Sequence, residues 1–534
     1  MMFRNAVIGG LALFGMLSTP AHAEWRRAES QHFIAYGEMS EGDLRTRLER
    51  LEKFDAMMRQ LLNVKDTVKL QLFLLPSISD VQEYANDSQV GGFYNASAQL
   101  AYAVMPQKLN FYQEGFTPES ILLHEYTHHM LLSGLDVYVP GWATEGLAEM
   151  FSTVRYDSDG GLTIGLPNPA REYSMFGTSR WPVEKLLRSD TEEFSRDERI
   201  ELYSRGWALA HYLWLSGERP GEYAKFLECL NESGEAVECG KKVFGDLGKL
   251  NSEINGYLRR RTYPSAVFSE EKLNAPTDIT VREATPGEDA FLEYRLISLL
   301  GVTEETAPKL AAEARPVAAR FPNDPFVQRA LAEIEYDVAS LAESGDFGLA
   351  EAAADRAIAA DPDNVMAMAY KARIAGQRAL ASDEPAGYWD EARKWIRRAN
   401  RADPAQPLPF VLFYDSFVAQ GKDIPEGAVK GLYAAMPLIP QDGSLSARVA
   451  VELIKSGNIA RAREVLAPAA FSPHAPRESS MRDLIAEIDA GKSATELEQW
   501  IKENKFDLQF NDFVGSTVAR ELAEKKKGKE DGES

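Results

Sequence analysis

The chain has 534 residues, 45% hydrophobic and 26% charged, which is the composition of a soluble globular protein with more than one hydrophobic core. Its formal net charge is -22, which argues against nucleic acids and anionic membrane surfaces as partners because both repel an acidic protein.

The first 23 residues have the pattern of a cleavable signal peptide. Arg4 supplies the positive charge, residues 6–17 are largely apolar, and Ala21-His22-Ala23 is a small-x-small cleavage site that would leave Glu24 at the new N-terminus. No later apolar run is long enough to cross a bilayer, so we expect no membrane span. The predicted location is the periplasm or outside the cell.

Strands and helices alternate after this segment. His32–Tyr36 alternates like a short strand, and Glu41–Leu62 carries apolar residues at helical spacing. Val68–Leu75 is predicted to be a strand, Val81–Ala85 a short helix and Gln99–Val104 a third strand. The mixture predicts an α+β domain.

A His-Glu-x-x-His motif follows the third strand, inside a helix predicted over 117–134. His124 and His128 are one helical turn apart, so both imidazoles can reach one metal ion, with Glu125 beside them. Composition alone predicts about 0.01 chance matches to this motif in the chain. The spacing therefore indicates a metal site.

A hydrolytic zinc site needs three protein ligands and one open position, so the two histidines require a third donor. Glu145, on a second helix that begins near Pro140, is the candidate. Glu149 lies one turn further on the same face, from which it can accept the free ring N–H of His124.

His-Glu-x-x-His followed by Trp-x-x-Glu-Gly-x-Ala-Glu resembles the gluzincin metallopeptidases, the thermolysin and aminopeptidase N group, and especially the peptidase MA-like proteins of bacteria. The resemblance implies one Zn²⁺ per chain with His124, His128 and Glu145 as ligands. It also implies Glu125 as the general base and Glu149 as the partner of a ligand histidine. The expected fold is a gluzincin-like domain, a small sheet with zinc-binding helices, over residues 24–268.

A later helix resembles the Tyr-x-Lys-Gly helix of aminopeptidase-type gluzincins. Tyr203 occupies the tyrosine position, with Arg205 where lysine is usual, and the resemblance implies that Tyr203 steadies the oxyanion; the alternative is a core tyrosine. By the same resemblance Gln99–Val104 lines the cleft and pairs with the substrate, the alternative being an interior strand. The Gly-x-Met-Glu-Asn signature that reads a free amino terminus is absent, so exopeptidase specificity is not implied.

His129, His211 and the two cysteines are not part of this motif. His129 is off the ligand face and His211 lies in an aromatic helix, so we interpret His129 as packed or exposed and His211 as a core histidine. Cys229 and Cys239 are close enough for a local disulfide, the alternative being two free buried thiols.

The second half of the chain differs from the first in composition and pattern. Residues 269–289, rich in Pro, Glu and Thr, are predicted to be a linker, and 290–522 an all-α repeat domain. Ala350–Ile358 before Asp361-Pro362 resembles the second helix of a tetratricopeptide repeat. Such arrays often bind a protein partner on their concave side, and the alternative is a helical domain that only braces the first. Residues 523–534 are charged, which predicts a disordered tail.

These patterns predict a secreted or periplasmic zinc peptidase that hydrolyses peptide or protein substrates. The first alternative is a repeat-type protein-binding scaffold with a catalytically inactive peptidase-like domain. The second keeps the zinc in a structural role, without an exchangeable water.

Overall fold

The computed structural model describes residues 25–64, 68–85, 88, 90–112, 114–134, 137–171, 181–189, 195–233, 235–342, 345–472, 478–515 and 517–518. The predicted signal peptide and the charged tail lie outside these residues. The described part has a mixed α+β architecture with two small sheets and many helices. None of the helices described there combines the length and apolar character needed to cross a membrane.

The larger sheet has six strands in the order β4-β5-β3-β2-β1-β9, and the smaller has the order β6-β7-β8. Strands β2, β3 and β5 run parallel, whereas β4, β1 and β9 are antiparallel to their neighbours. The strands are β1 (Arg26–Glu29), β2 (Phe33–Gly37), β3 (Leu70–Leu75), β4 (Phe93–Ala96), β5 (Ala101–Pro106), β6 (Arg155–Tyr156), β7 (Leu162–Ile164), β8 (Ala266–Phe268) and β9 (Thr280–Glu283).

Ten helices accompany these strands in the described part of the chain: α1 (Glu41–Leu62), α2 (Ile78–Ala85), α3 (Pro118–Gly134), α4 (Gly141–Ser152), α5 (Val183–Leu187), α6 (Arg196–Leu215), α7 (Glu222–Ser233), α8 (Ala236–Phe244), α9 (Leu247–Tyr257) and α10 (Glu270–Leu273). The predicted helix over 117–134 is confirmed by α3. Helix α2 begins earlier than predicted because Ser77 and Asp80 bond reciprocally at its start.

The strand expected to pair with substrate is an interior strand. β5 is buried along its whole length and is hydrogen-bonded to β3 on one side and β4 on the other. Neither edge is free for a substrate backbone, so the predicted pairing role of Gln99–Val104 is wrong. β4 forms the edge of the sheet on this side.

The stretch predicted as a linker completes the sheet instead. Within 269–289 lie α10 and β9, and β9 pairs with β1 so that Thr280 faces Glu29. Trp25 accepts from the backbone of Ala284, which extends the same pairing. The polar composition of this stretch is explained by an exposed edge strand rather than by an unpaired linker.

The second half of the chain is built from helices that pack in consecutive pairs, α13 with α14, α15 with α16, α17 with α18 and α19 with α20. Their bounds are α11 (Pro286–Leu300), α12 (Thr306–Ala318), α13 (Pro325–Leu341), α14 (Gly348–Ala360), α15 (Val365–Leu380), α16 (Ala386–Ala402), α17 (Leu408–Val418), α18 (Glu426–Ala435), α19 (Gly443–Lys455), α20 (Ile459–Ala470), α21 (Ser480–Asp489), α22 (Ala494–Glu503) and α23 (Phe506–Gln509). Asp324, Asn364 and Asp442 cap α13, α15 and α19, and each follows a proline two residues earlier in the chain.

Helices α13 and α15 face the β4–β5 connection of the sheet. Gln99 on that connection donates to Glu333 at 2.8 Å and accepts from Arg373 at 2.8 Å. Arg373 is also held by Asp512 through two bonds of 2.7 and 2.9 Å. These hydrogen bonds join the helical region to the sheet, and one continuous apolar core extends from the sheet into the later helices.

The two cysteines are joined. Cys229 on α7 and Cys239 on α8 form a disulfide with their Cα atoms 5.7 Å apart, within the usual range for such bonds. Both side chains are buried, so the bridge fastens two helices of the first half of the chain from inside.

Candidate metal centre

Helix α3 presents the two motif histidines on one face. Thr117 accepts from the backbone of Ser120 at 3.0 Å and so caps the helix start. Seven residues later His124 points to the same side as His128, and their Nε2 atoms lie 3.2 Å apart. Two neutral imidazole nitrogens aimed at one point repel each other unless a proton or a cation lies between them. The pair is therefore arranged to share a positive centre.

Helix α4 brings the third donor to that point. Glu145 Oε2 lies 3.3 Å from His124 Nε2 and 3.7 Å from His128 Nε2. Zinc bonds of 2.0–2.1 Å at tetrahedral angles place ligand atoms about 3.3 Å apart. The three observed separations are close to that value, and the donor set of two imidazoles and one carboxylate suits zinc. The residues present fit a zinc ion.

Glu149 lies one turn beyond Glu145, behind the histidines. Its Oε1 is 3.7 Å from His124 Nδ1, the ring nitrogen that is not aimed at the metal position. Asn168 donates to its Oε2 at 3.1 Å, and Arg171 donates to its Oε1 at 2.7 and 3.2 Å. The carboxylate is thus held on the Nδ1 side of His124, slightly beyond hydrogen-bond distance of that nitrogen.

Two further candidate residues border the trio. Glu125 is half-buried, and its negative charge acts on both His124 and Tyr203. The ring centre of Tyr203, on α6, lies 6.1 Å from that of His124. The carboxylate of Glu145 and then burial raise the pKa of Tyr203 above its usual range, so its hydroxyl keeps its proton. The structure therefore brings all six predicted site residues into one region.

The crossing of α4 and α6 sets the distance between Glu145 and Tyr203. Gly146 and Gly206 face each other there, and a Cβ added at Gly146 would lie 2.3 Å from the backbone carbonyl of Gly206. Such a contact is impossible, so only glycine permits this approach. Arg205 does not reach the centre, because Asn251 and Asn255 on α9 bind its guanidinium at 2.9 and 3.1 Å.

The negative charges around the site favour a positive charge at its centre. Burial by itself lowers the pKa of His124, but the contact with Glu145 and the charges of Glu145, Glu149 and Glu125 outweigh it and raise the pKa to about 9. The centre therefore attracts a proton in the absence of any other cation. A divalent ion would take the place of that proton.

The remaining histidines of this region are structural. His129 is buried and contacts Tyr94 at 2.7 Å and the Gln441 amide at 3.2 Å, which joins α3 to the helical region. Burial lowers its pKa to about 3. His211 is also buried, between the carbonyl of Gly165 at 2.9 Å and the hydroxyl of Tyr257 at 2.7 Å. Both interpretations as packed histidines are confirmed.

A second group of potential ligands lies behind α3. His32 Nδ1 bonds Glu52 at 2.7 Å and lies 3.1 Å from Asp55, whose other oxygen accepts from Tyr126 at 2.5 Å. Arg59 also holds Asp55, at 2.7 Å. These groups satisfy one another directly, so we interpret the cluster as a hydrogen-bond network that anchors α3 through Tyr126, a residue that the sequence analysis did not single out.

His211 provides a test of the structural interpretation through pH. Because burial lowers its pKa in the folded protein, the unfolded chain, with a histidine pKa of about 6.5, binds the proton more readily. The stabilisation from neutral His211 is present above that pH and is lost as the pH falls. In urea unfolding with a chelator present, we expect His211→Gln to have a lower free energy of unfolding than the wild type at pH 7.5. This difference in free energy should become smaller as the pH is lowered to 5. A difference that does not depend on pH would contradict the interpretation of His211 as a buried neutral histidine.

Comparisons with known proteins do not add to this picture. No protein-family model matches the chain, and no curated protein matches it.

Proposed function

We propose that the protein is a zinc-dependent peptidase of the gluzincin type that hydrolyses peptide bonds in peptide or protein substrates. The observation that supports it most is the convergence of His124, His128 and Glu145, with donor atoms 3.2, 3.3 and 3.7 Å apart. A zinc ion held there would lower the pKa of a bound water to about 7 and polarise the substrate carbonyl.

The chain's own residues would carry the proton and the developing charge. Glu125 removes a proton from the attacking water as the water oxygen bonds to the peptide carbon, and then delivers it to the nitrogen of the leaving amine as the C–N bond breaks. Tyr203 donates its hydroxyl proton in a hydrogen bond to the carbonyl oxygen, which becomes negative in the transition state. The negative charge of Glu149, 3.7 Å from His124 Nδ1, favours a proton on that nitrogen and so leaves Nε2 directed at the metal position.

A structural role for the metal is less consistent with the site. Structural zinc is normally enclosed by four protein ligands, whereas the group identified among the described residues offers three. His124 also keeps 16% of its side chain exposed. An open position and an access route are what a hydrolytic centre requires.

The scaffold alternative concerns the helical region, where Glu333, Arg373 and Asp512 line an open cavity of about 390 Å³. Gln99 bonds Glu333 of α13 and Asp512 bonds Arg373 of α15, which is consistent with helices that brace the first half of the chain. The cleavage site predicted from the sequence and the disulfide support a periplasmic or extracellular location within this proposal.

Hydrolysis of a quenched-fluorescence peptide library by the full chain tests the proposal. We expect cleavage that stops with a chelator and returns with one equivalent of zinc. The matched control is Arg155→Ala. The Arg155 side chain is exposed and bonds only Asp157 and Thr163 among the described residues. The variant should therefore cleave like the wild type. Zinc-loaded protein that cleaves no member of the library would reject the peptidase proposal.

A further inference from the structure

Arg171 lies between two groups of the centre that come from different helices. It follows the loop after β7, at the end of a short 3-10 turn, Pro169–Arg171. Its Nη2 and Nε donate to Glu149 Oε1 at 2.7 and 3.2 Å. The centre of the same guanidinium lies 5.1 Å from the ring centre of Tyr203, a cation-π distance.

The turn that carries Arg171 is itself tied to the same carboxylate. Asn168 donates its amide to Glu149 Oε2 at 3.1 Å and accepts from the backbone of Ala170 at 2.9 Å, so one side chain orders the turn and binds Glu149. Asn168 is buried, and Thr153 at the end of α4 fastens the same loop by donating to the Leu166 carbonyl at 2.7 Å. These hydrogen bonds therefore hold the loop that carries Arg171 in one position.

We propose that Arg171 is a positioning residue of the hydrolytic centre, which fixes Glu149 behind His124 and the ring of Tyr203 beside it with a single guanidinium. This inference rests on the proposed function. Glu149 is 2% exposed, and a buried carboxylate without a cation beside it would move towards other partners, which would leave His124 without its neighbour. The phenol ring, without the cation over it, would lose its fixed orientation.

The planar shape of the guanidinium is essential to this role. Its fork donates through Nε and Nη2 to one carboxylate while its face lies against an aromatic ring, and an ammonium group can do only one of these. Arg171→Lys should therefore keep the charge beside Glu149 and lose the contact with Tyr203. Arg171→Ala should lose both.

The test measures zinc affinity and kinetics on the full chain. For Arg171→Ala we expect kcat to fall roughly 10–100-fold with little change in KM, and zinc to bind at least about 10-fold more weakly in a chelator competition. Arg171→Lys should recover zinc affinity but not kcat. Millimolar guanidinium chloride should restore part of the kcat of Arg171→Ala, while sodium chloride at the same concentration should not.

The outcomes separate this inference from the proposed function. If the wild type binds no zinc or cleaves no peptide, the proposed function fails. If the wild type is an active zinc peptidase but Arg171→Lys, which keeps the charge and bulk needed for folding, matches it in kcat, the inference on Arg171 fails alone. Loss of activity in Arg171→Ala that guanidinium does not relieve, with unchanged zinc affinity, would also overturn it.

Discussion

Replacing Glu125 by glutamine is expected to reduce peptide hydrolysis roughly 1000-fold or more while zinc remains bound. The amide cannot take a proton from the attacking water, and general base catalysis of this kind typically contributes 100- to 10,000-fold. Glu125 is not among the residues whose donor atoms converge on the metal position, so the variant should keep its zinc content. Initial rates with a library peptide and metal analysis of the same sample measure both expectations.

Glu119→Gln is the control for this substitution. Glu119 is an acidic residue of the same helix, and it pairs at the surface with Arg50 at 3.1 Å. Its loss should leave the rate close to that of the wild type, because exposed ion pairs contribute little. An active Glu125→Gln variant would reject the assigned role of this residue, although the metal site itself would stand.

Replacing Gly146 by alanine is expected to destabilise the fold by about 3 kcal/mol and to damage the site. The added methyl group would lie 2.3 Å from backbone atoms of Gly206, which cannot rotate away, so α4 and α6 must separate. Glu145, the preceding residue, would then move relative to the histidines. A displacement of about 1 Å is enough to reduce hydrolysis about 100-fold. Urea unfolding and zinc affinity together measure the effect.

Gly256→Ala is the matched control for this substitution. Gly256 lies inside α9 and has no atom within 4 Å of an added Cβ. Alanine there should leave zinc affinity unchanged and stabilise the protein by up to about 1 kcal/mol, because glycine is a poor helix former. If Gly146→Ala behaved in the same way, the close crossing of α4 and α6 would not be needed to place Glu145.

The sequence predicts the local part of this site well. His124, Glu125 and His128 depend only on helical spacing, and Glu145 and Glu149 depend on a second helix with a recognisable start. Local patterns of this kind survive folding because the helix itself fixes the directions of the side chains. The observed distances between Glu145 and the histidines are therefore consistent with what the spacing alone indicates.

The parts that the sequence analysis missed depend on contacts between distant segments. Arg171 and Asn168 lie in a loop without periodicity, and their partner Glu149 is about 20 residues earlier in the chain. Gly206 is separated from Gly146 by β6, β7, the short 3-10 turn and α5, and nothing in either helix alone shows that the other will cross there. A glycine directly after Glu145 is the one signal from which a close approach could have been suspected.

The order of the strands in the sheet also could not be predicted from local sequence patterns. Gln99–Val104 has the apolar character of any buried strand, so its sequence does not distinguish an interior strand from the edge of a cleft. The polar stretch of residues 269–289 was predicted as a linker, but it supplies β9 because an edge strand with one exposed side needs few apolar residues. Both outcomes are decided by pairing with β1, β3 and β4.

Zinc stoichiometry is the most direct test of the central claim, that His124, His128 and Glu145 together bind one divalent ion. The full chain is purified without chelator and analysed for metal beside Glu145→Gln and His129→Gln, the latter a substitution at a neighbouring histidine that is not a ligand. The account predicts about one zinc per chain for the wild type and His129→Gln, and a large loss of zinc for Glu145→Gln. Zinc-free wild type, or undiminished zinc in Glu145→Gln, would contradict it.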